Sequence, residues 1–245
     1  MSGRVTLSIA GRVLGQLRRD PRTIALLLVV PIVLMTILRY AFDGQPETFD
    51  RIGPPLLGLL PFITMFLVAS ISMLRERTSG TLERLMSMPV SKLDLLAGYG
   101  IAFGLLALVQ TILLAVVSLG PLGLDTDGSG VLLVVLAILN ALLGMSLGLF
   151  ISAFARSEFQ AVQFMPAVVL PQLLLCGLFV ARDEMAGWLE AISYALPLTY
   201  AYDALSLATG ADDLGGDFAR DVTIVVLVTV GALALGAVTM RRRTA

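Results

Sequence analysis

Few residues in this chain can do chemistry. Its 245 residues include no histidine, one cysteine (Cys176) and one lysine (Lys92). That removes Ser-His and Cys-His hydrolysis, His-ligated metals, zinc clusters and disulfide frameworks. The lysine is followed by Leu93, so the Gly-Lys-Ser/Thr core of a phosphate-gripping P-loop is missing as well. The most structured charged stretch runs from Arg75 to Asp94. In it Thr78 or Ser79 can cap a short helix, with Glu83 in its first turn, Leu82, Leu85 and Met86 on one side, and Pro89 ending it. A helix of about two turns with no core of its own either docks on a partner or rests on lipid. Periodicity alone leaves both open.

The elements around this stretch are set by composition. Hydrophobic residues make up 57% of the chain and charged ones 14%, with a mean hydropathy of +0.91; a soluble domain with that ratio lacks the polar surface to stay dissolved. Six long uncharged runs, Thr23–Leu38, Ile52–Leu74, Leu95–Leu124, Gly128–Ala155, Phe159–Ala181 and Val222–Met240, total 139 residues, more than the ~120 that six helical crossings need. The first run extends to Phe42 if Arg39 snorkels to the interface. The expected spans are therefore about 23–42, 52–74, 95–120, 131–155, 159–181 and 222–240, in a single transmembrane domain covering 1–245. Residues 75–94 form the loop between the second and third spans, and residues 182–221 join the last two.

Charge fixes the orientation. With both termini on one side, that side carries 13 basic residues, ending in Arg241–Arg243, against 5 acidic ones, and the other carries 4 against 13. Basic loops stay inside, so both termini are expected in the cytoplasm. The uncharged segment Ala191–Tyr202 is too short to cross and reads as a re-entrant hairpin at the outer face, broken at Pro197. Near the N-terminus, Val5, Thr6, Leu7, Ile9, Ala10, Val13, Leu14 and Leu17 fill one helical arc and Arg4, Arg12, Arg18 and Arg19 the other. Residues 1–20 thus read as an amphipathic helix on the cytoplasmic leaflet, turned into the membrane at Pro21.

Inside the spans there is no Asp, Glu, Lys or His. Proton-coupled transport and intramembrane acid–base catalysis need such groups, as a charge-selective pore needs a ring of them. Gln110, Asn140, Gln160, Gln163 and Gln172 read either as interhelical hydrogen-bonding groups or as substrate contacts. Gly100-x-x-x-Gly104 and Gly144-x-x-x-Gly148 mark expected close helix contacts, and Pro31, Pro61, Pro166 and Pro171 expected kinks.

Two stretches carry a resemblance. Glu76-x-x-x-Gly80-Thr81-Leu82-Glu83-x-Leu85, followed by Pro89-Val90, resembles the loop between the second and third spans of type-2 ABC exporter permeases, the daunorubicin-resistance-like branch in particular. Trp188–Leu205, with Ile192-Ser193, Leu196-Pro197-Leu198-Thr199 and Tyr202-Asp203-Ala204-Leu205, resembles that family's outer re-entrant segment. The likeness covers essentially the whole chain. It implies an all-α membrane protein with six transmembrane helices, an N-terminal surface helix, a cytoplasmic coupling helix between spans two and three, and an outer helical hairpin between spans five and six.

The resemblance also implies a function. This would be the permease subunit of an ABC exporter, not itself an enzyme, moving a drug, lipid or polyketide with ATP and Mg held by separate P-loop ATPase subunits. Glu76, Gly80, Thr81, Leu82, Glu83, Leu85 and Met86 become the coupling element, the two glutamates pairing with basic groups on the ATPase and Leu82, Leu85 and Met86 filling its groove. Phe62, Met65, Phe66, Phe164 and Met165 become candidate walls of the substrate path, though each taken singly fits helix packing or lipid better. Expected partners are the ATPases, a second copy or a sister permease, membrane lipid and the hydrophobic cargo, with no nucleic acid. Sixteen arginines to one lysine suggest a GC-rich bacterium, hence a bacterial plasma membrane. The rival reading is a passive pore or lipid-facing scaffold that needs no nucleotide.

Overall fold

The computed structural model describes residues 2–87, 91–210 and 214–239, apart from the side chains of Glu83 and Met86. Among them every regular element is helical. In chain order the helices are α1 (Gly3–Arg18), α2 (Pro21–Ala41), α3 (Pro46–Thr78), α4 (Thr81–Ser87), α5 (Lys92–Leu119), α6 (Gly130–Ile151), α7 (Glu158–Leu175), α8 (Gly187–Ser193), α9 (Pro197–Leu207) and α10 (Gly215–Thr239), with a 3₁₀ turn at Arg182–Glu184 before α8. Six of these, α2, α3, α5, α6, α7 and α10, are long and apolar enough to cross a membrane.

Polar side chains start most of the spans. Asp20 accepts from the Thr23 amide at 3.2 Å and its hydroxyl at 2.6 Å, with Pro21 in the first turn of α2. Ser91, Ser129 and Ser157 cap α5, α6 and α7 by accepting from the amides of Asp94, Leu132 and Gln160. The buried centre is the seam between α3 and α6. There Gly144 and Gly148 lie so close to the backbone of Phe62 and Phe66 that a Cβ at either glycine would overlap a carbonyl oxygen of α3. Missing side chains let two backbones meet, which is how membrane helices associate without a hydrophobic drive. The other pair behaves differently. Gly100 has nothing within 4 Å of where its Cβ would be, and Gly104 meets only Leu142, at 3.4 Å.

Several span limits shift. α3 begins at Pro46 and runs 33 residues to Thr78, so Arg75 and Glu76, expected in a loop, are helical. α10 starts at Gly215 because Arg220 neutralises its neighbours, bonding Asp217 at 2.8 Å and Asp221 at 2.9 Å; uncharged-run boundaries cannot register charges that cancel. α7 stops at Leu175, where the expected span ran to 181. Gly177 takes a left-handed φ of +106°, and the apolar residues that follow are not helical. Hydropathy reports distance from water, not backbone conformation. The helices continue through Pro31, Pro61, Pro166 and Pro171. The expected helix stop at Pro89, the Val90 beside it and the Arg241–Arg243 cluster lie outside the described residues.

Arg39 does more than snorkel. Its Nε donates to the Leu122 carbonyl at 3.0 Å and its guanidinium sits over the Phe49 ring, 5.5 Å from the centroid, tying α2 to the loop after α5.

Candidate coupling site and transport path

Gly80 makes the bend on which the charged loop turns. Its φ is +71°, so it ends α3 in the left-handed conformation that glycine adopts without steric cost. The Ser79 amide donates to Arg75 O at 2.9 Å, and the Gly80 carbonyl accepts from the Arg84 amide at 3.2 Å, opening α4. Helix α4 therefore starts at Thr81. Thr78 and Ser79, the expected caps, are the last residue and the C-cap of α3; the Ser79 hydroxyl lies 2.9 Å from that of Thr81.

The leucines of α4 point inward. Leu82 and Leu85 are buried in one cluster with Ile9 and Val13 of α1, Met73 of α3, and Leu95, Leu96 and Tyr99 of α5. They were expected to fill a partner's groove; in this structure they fill a gap in their own chain. Arg84 and Ser87 are exposed, so the outward side chains of α4 that are described are polar.

Glu76 is likewise committed within the chain. It is only 6% exposed, and its Oε1 accepts from Arg12 Nη2 at 2.9 Å and Gln16 Nε2 at 3.1 Å. Arg12 also donates to the Tyr99 hydroxyl at 3.0 Å. Glu76 was expected to pair with a partner's basic group; in this structure Arg12 and Gln16 of α1 hold it. Further along the α1–α5 contact, buried Asp94 accepts from the Ser2 amide at 3.0 Å and the Thr6 hydroxyl at 3.2 Å, and Ile9 rests where Gly98 lacks a side chain. So α1 packs on protein along Thr6, Ile9, Ala10 and Val13, and Arg12 turns inward to the ion pair. The sequence reading gave no role to Gln16, Asp94 or Tyr99. Thr6 falling within the apolar arc was the one signal that this face meets protein.

The end of α3 is also fastened to its neighbours. Arg75 bonds Glu158 of α7 through Nε at 2.8 Å and Nη2 at 3.1 Å, and Arg77 donates to Ser152 O at the end of α6 at 3.2 Å. These contacts link α4 to α1, α3 and α5, and the end of α3 to α6 and α7.

The candidate path residues divide. Phe62, Met65 and Phe66 are wholly buried, held in the α3 seam and its neighbouring clusters. Phe164 packs beside Leu74, Ala155 and Ala161, and Met165 beside Phe62 and Val169.

At the acidic end, α8 and α9 follow one another across Tyr194–Leu196. Pro197 breaks the segment as expected, by opening α9. Thr199 Oγ1 and the Tyr200 hydroxyl donate to the carbonyls of Ser193 and Tyr194, both at 2.7 Å. Arg182 bonds Asp203 at 2.8 Å and lies 5.4 Å from the Tyr194 ring centre. Burial pushes the Asp203 carboxyl up to about 6; Arg182 opposes the rise and nearby Asp221 adds to it. Among the described residues no group of three or more His, Cys, Asp or Glu could hold a metal ion.

Residues 5–208 match the profile of the ABC-2 type transporter family. Among curated proteins, the chain is 28% identical over 168 residues to the "Probable multidrug ABC transporter permease YbhS" of Escherichia coli, covering 68% of this chain and 45% of that one. It is 28% identical over 179 residues to the "Inner membrane transport permease YhhJ" of the same species, covering 67% and 48%. It is also 28% identical over 164 residues to the "ABC transporter G family member 20" of Dictyostelium discoideum, covering 66% and 22%. The chain thus spans less than half the length of each of these relatives.

Proposed function

The chain belongs to the ABC-2 type transporter family, and on that premise we propose that it is the membrane-spanning half of an exporter that moves hydrophobic or amphipathic compounds outward. ATP and Mg are handled by a P-loop ATPase that docks on α4. The observation that carries this reading is the short helix hung from a left-handed glycine between the second and third spans, with Arg84 and Ser87 facing out and its leucines keyed into the bundle. Such a helix transmits force in two directions: a polar face meets the partner, and a buried face passes the displacement to α1, α3 and α5.

Coupling residues then divide by task. Gly80 sets the angle, Thr81 opens the helix, and Leu82 and Leu85 link it to the core. Arg84 offers a charge to the ATPase, and Glu76 holds the hinge region to α1. The path forms between two copies, or between this chain and a sister permease. The spans least covered by their own chain, α2 and α7, expose apolar rows such as Leu26, Val33 and Ile37 on one and Val162, Leu170 and Leu174 on the other, and those rows suit a wall shared with a second subunit. The relative printed as a multidrug permease supports an apolar cargo. The 13-to-5 excess of basic charge at the α4 end supports cytoplasmic termini.

Proteoliposomes holding this chain with its ATPase, loaded with a fluorescent amphiphile, test the reading. ATP should drive efflux, and Arg84→Glu should lower efflux and nucleotide hydrolysis together. Uphill movement by the chain alone, with no nucleotide-hydrolysing subunit, would end it.

A further inference from the structure

Helices α5 and α10 both pack against α6 and meet each other far less, which leaves an apolar groove between them. Its volume is about 450 Å³, and its lining includes Leu93, Ala97 and Gly100 of α5, Met145 of α6, and Val230 and Leu233 of α10. Gly100 keeps it open, since no atom lies within 4 Å of where its Cβ would be. One turn on, Leu142 lies 3.4 Å from the corresponding point at Gly104, and Gly104 no longer borders the groove. The groove therefore occupies one depth of the bundle. It runs from Leu93 to Ile101 on α5 and from Thr229 to Ala234 on α10, never more than ten residues from the helix ends at Lys92 and Thr239. At 1.5 Å per residue that is about 15 Å, half of the ~30 Å hydrocarbon layer.

A groove one leaflet long suits an acyl chain. A partner's transmembrane helix needs a seam along the whole span, and this seam stops at Leu142. The mouth of the groove carries a charge. Lys92, the chain's single lysine, opens α5 immediately before Leu93. Asp94, the nearest carboxylate in sequence, is buried and taken by Ser2, Thr6 and Ser91. None of the described carboxylates makes an ion pair with Lys92. We infer that this groove is a binding site for an anionic phospholipid, with one acyl chain between α5 and α10 and the phosphate facing the Lys92 ammonium. The lipid comes from the leaflet that borders the α4 end of the bundle. Phosphatidylglycerol has the net negative charge that the lysine calls for, whereas the choline of phosphatidylcholine offsets its own phosphate. A chain seated there supplies the packing that α5 and α10 do not give each other. The site is also separate from the apolar rows of α2 and α7, where the shared path is proposed.

Photolabelling of the full chain in phosphatidylcholine vesicles tests this, with a trace of phosphatidylglycerol carrying a diazirine midway along one acyl chain. Peptide mapping should place the label on Ala97–Ile101 and Val230–Ala234. Gly100→Leu puts a side chain into the open space and should remove the label from both segments while the folded peak in gel filtration holds. Val116→Phe, at an exposed position near the other end of α5, should leave the label in place. One basic side chain at an anionic interface is worth roughly fivefold in binding. Lys92→Gln, or the same diazirine carried on phosphatidylcholine, should therefore lower labelling roughly fivefold. Label spread evenly over the exposed faces of α5 and α10, labelling unchanged by Gly100→Leu, or equal labelling by the two headgroups overturns the proposal. So does Ile101→Cys joining two copies through a short thiol cross-linker, native Cys176 being buried, because a second protein would then fill the groove. No ATPase is needed, so failure here leaves the exporter reading standing.

Discussion

Replacing Gly80 by alanine changes one torsional preference and nothing else nearby. No atom lies within 4 Å of the position an added Cβ would take, while φ is +71°, so the methyl group meets open space and the whole cost is conformational. An L-residue held in the left-handed region costs roughly 1–2 kcal/mol. Two ordered features rest on that torsion, the end of α3 and the first hydrogen bond of α4, from the Arg84 amide to the Gly80 carbonyl. Opening of the 80–87 segment should therefore become about 5- to 30-fold more populated. Hydrogen exchange read peptide by peptide should show the Arg84–Ser87 amides exchanging faster by that factor, with α6 and α10 unchanged. Gly80→Asn should recover much of the protection, because asparagine's short polar side chain tolerates the same region. With the ATPase present, loss of stimulated hydrolysis should track loss of protection across the two variants. Equal exchange in wild type and Gly80→Ala, or an Asn variant no better protected than Ala, refutes the assignment of the hinge to this torsion.

Other substitutions probe the packing and the charges. Glu76→Ala should cost about 2–3 kcal/mol, moderated because the Arg12 side chain is 30% exposed and water partly relieves it; the fall in thermal midpoint should shrink when Arg12→Met is added. Gly144→Val should force apart α3 and α6 where the Phe62 carbonyl blocks a Cβ, costing about 3 kcal/mol or more, seen as an early loss of the folded peak in fluorescence-detected gel filtration; Gly100→Val, facing open space, should be tolerated. For Asp203, a folded-state pKa of about 6 against an ordinary 3.8 means the folded chain holds this proton more tightly than the unfolded one. Stability from this group therefore grows as pH falls through 6 towards 4 and is lost as pH rises through 6. Thermal midpoints measured across that range should show the slope in wild type and a flatter profile in Asp203→Asn.

The six crossing helices were legible because each is a long uncharged run, and orientation was argued from charge because the loops sort basic from acidic. Contacts at a distance were not legible. Gly144 and Gly148 mate with α3 while Gly100 and Gly104 do not, although the two motifs have the same spacing; a small-residue pattern states that a backbone can approach, not which one does. Leu82 and Leu85 were readable as one face of a short helix, yet that pattern suits a partner's groove and the chain's own core alike. Glu76 was placed in a loop because it follows the last uncharged residue of its run. The helix continues past it, since Arg12, 64 residues earlier, neutralises the charge. Phe62 and Phe66 were offered as path walls from the resemblance and their apolarity, and the α6 glycines that bury them are not visible from α3.

At 33 residues, α3 is about 50 Å long, well beyond the ~30 Å hydrocarbon layer. It touches α4 at one end and α9 further along its length. A single unbroken strut therefore reaches from the Gly80 elbow to the far side of the bilayer. Tilted as one body by a few degrees, it would swing its far end by several ångströms, less whatever Pro54, Pro55 and Pro61, which interrupt its hydrogen-bond ladder, absorb.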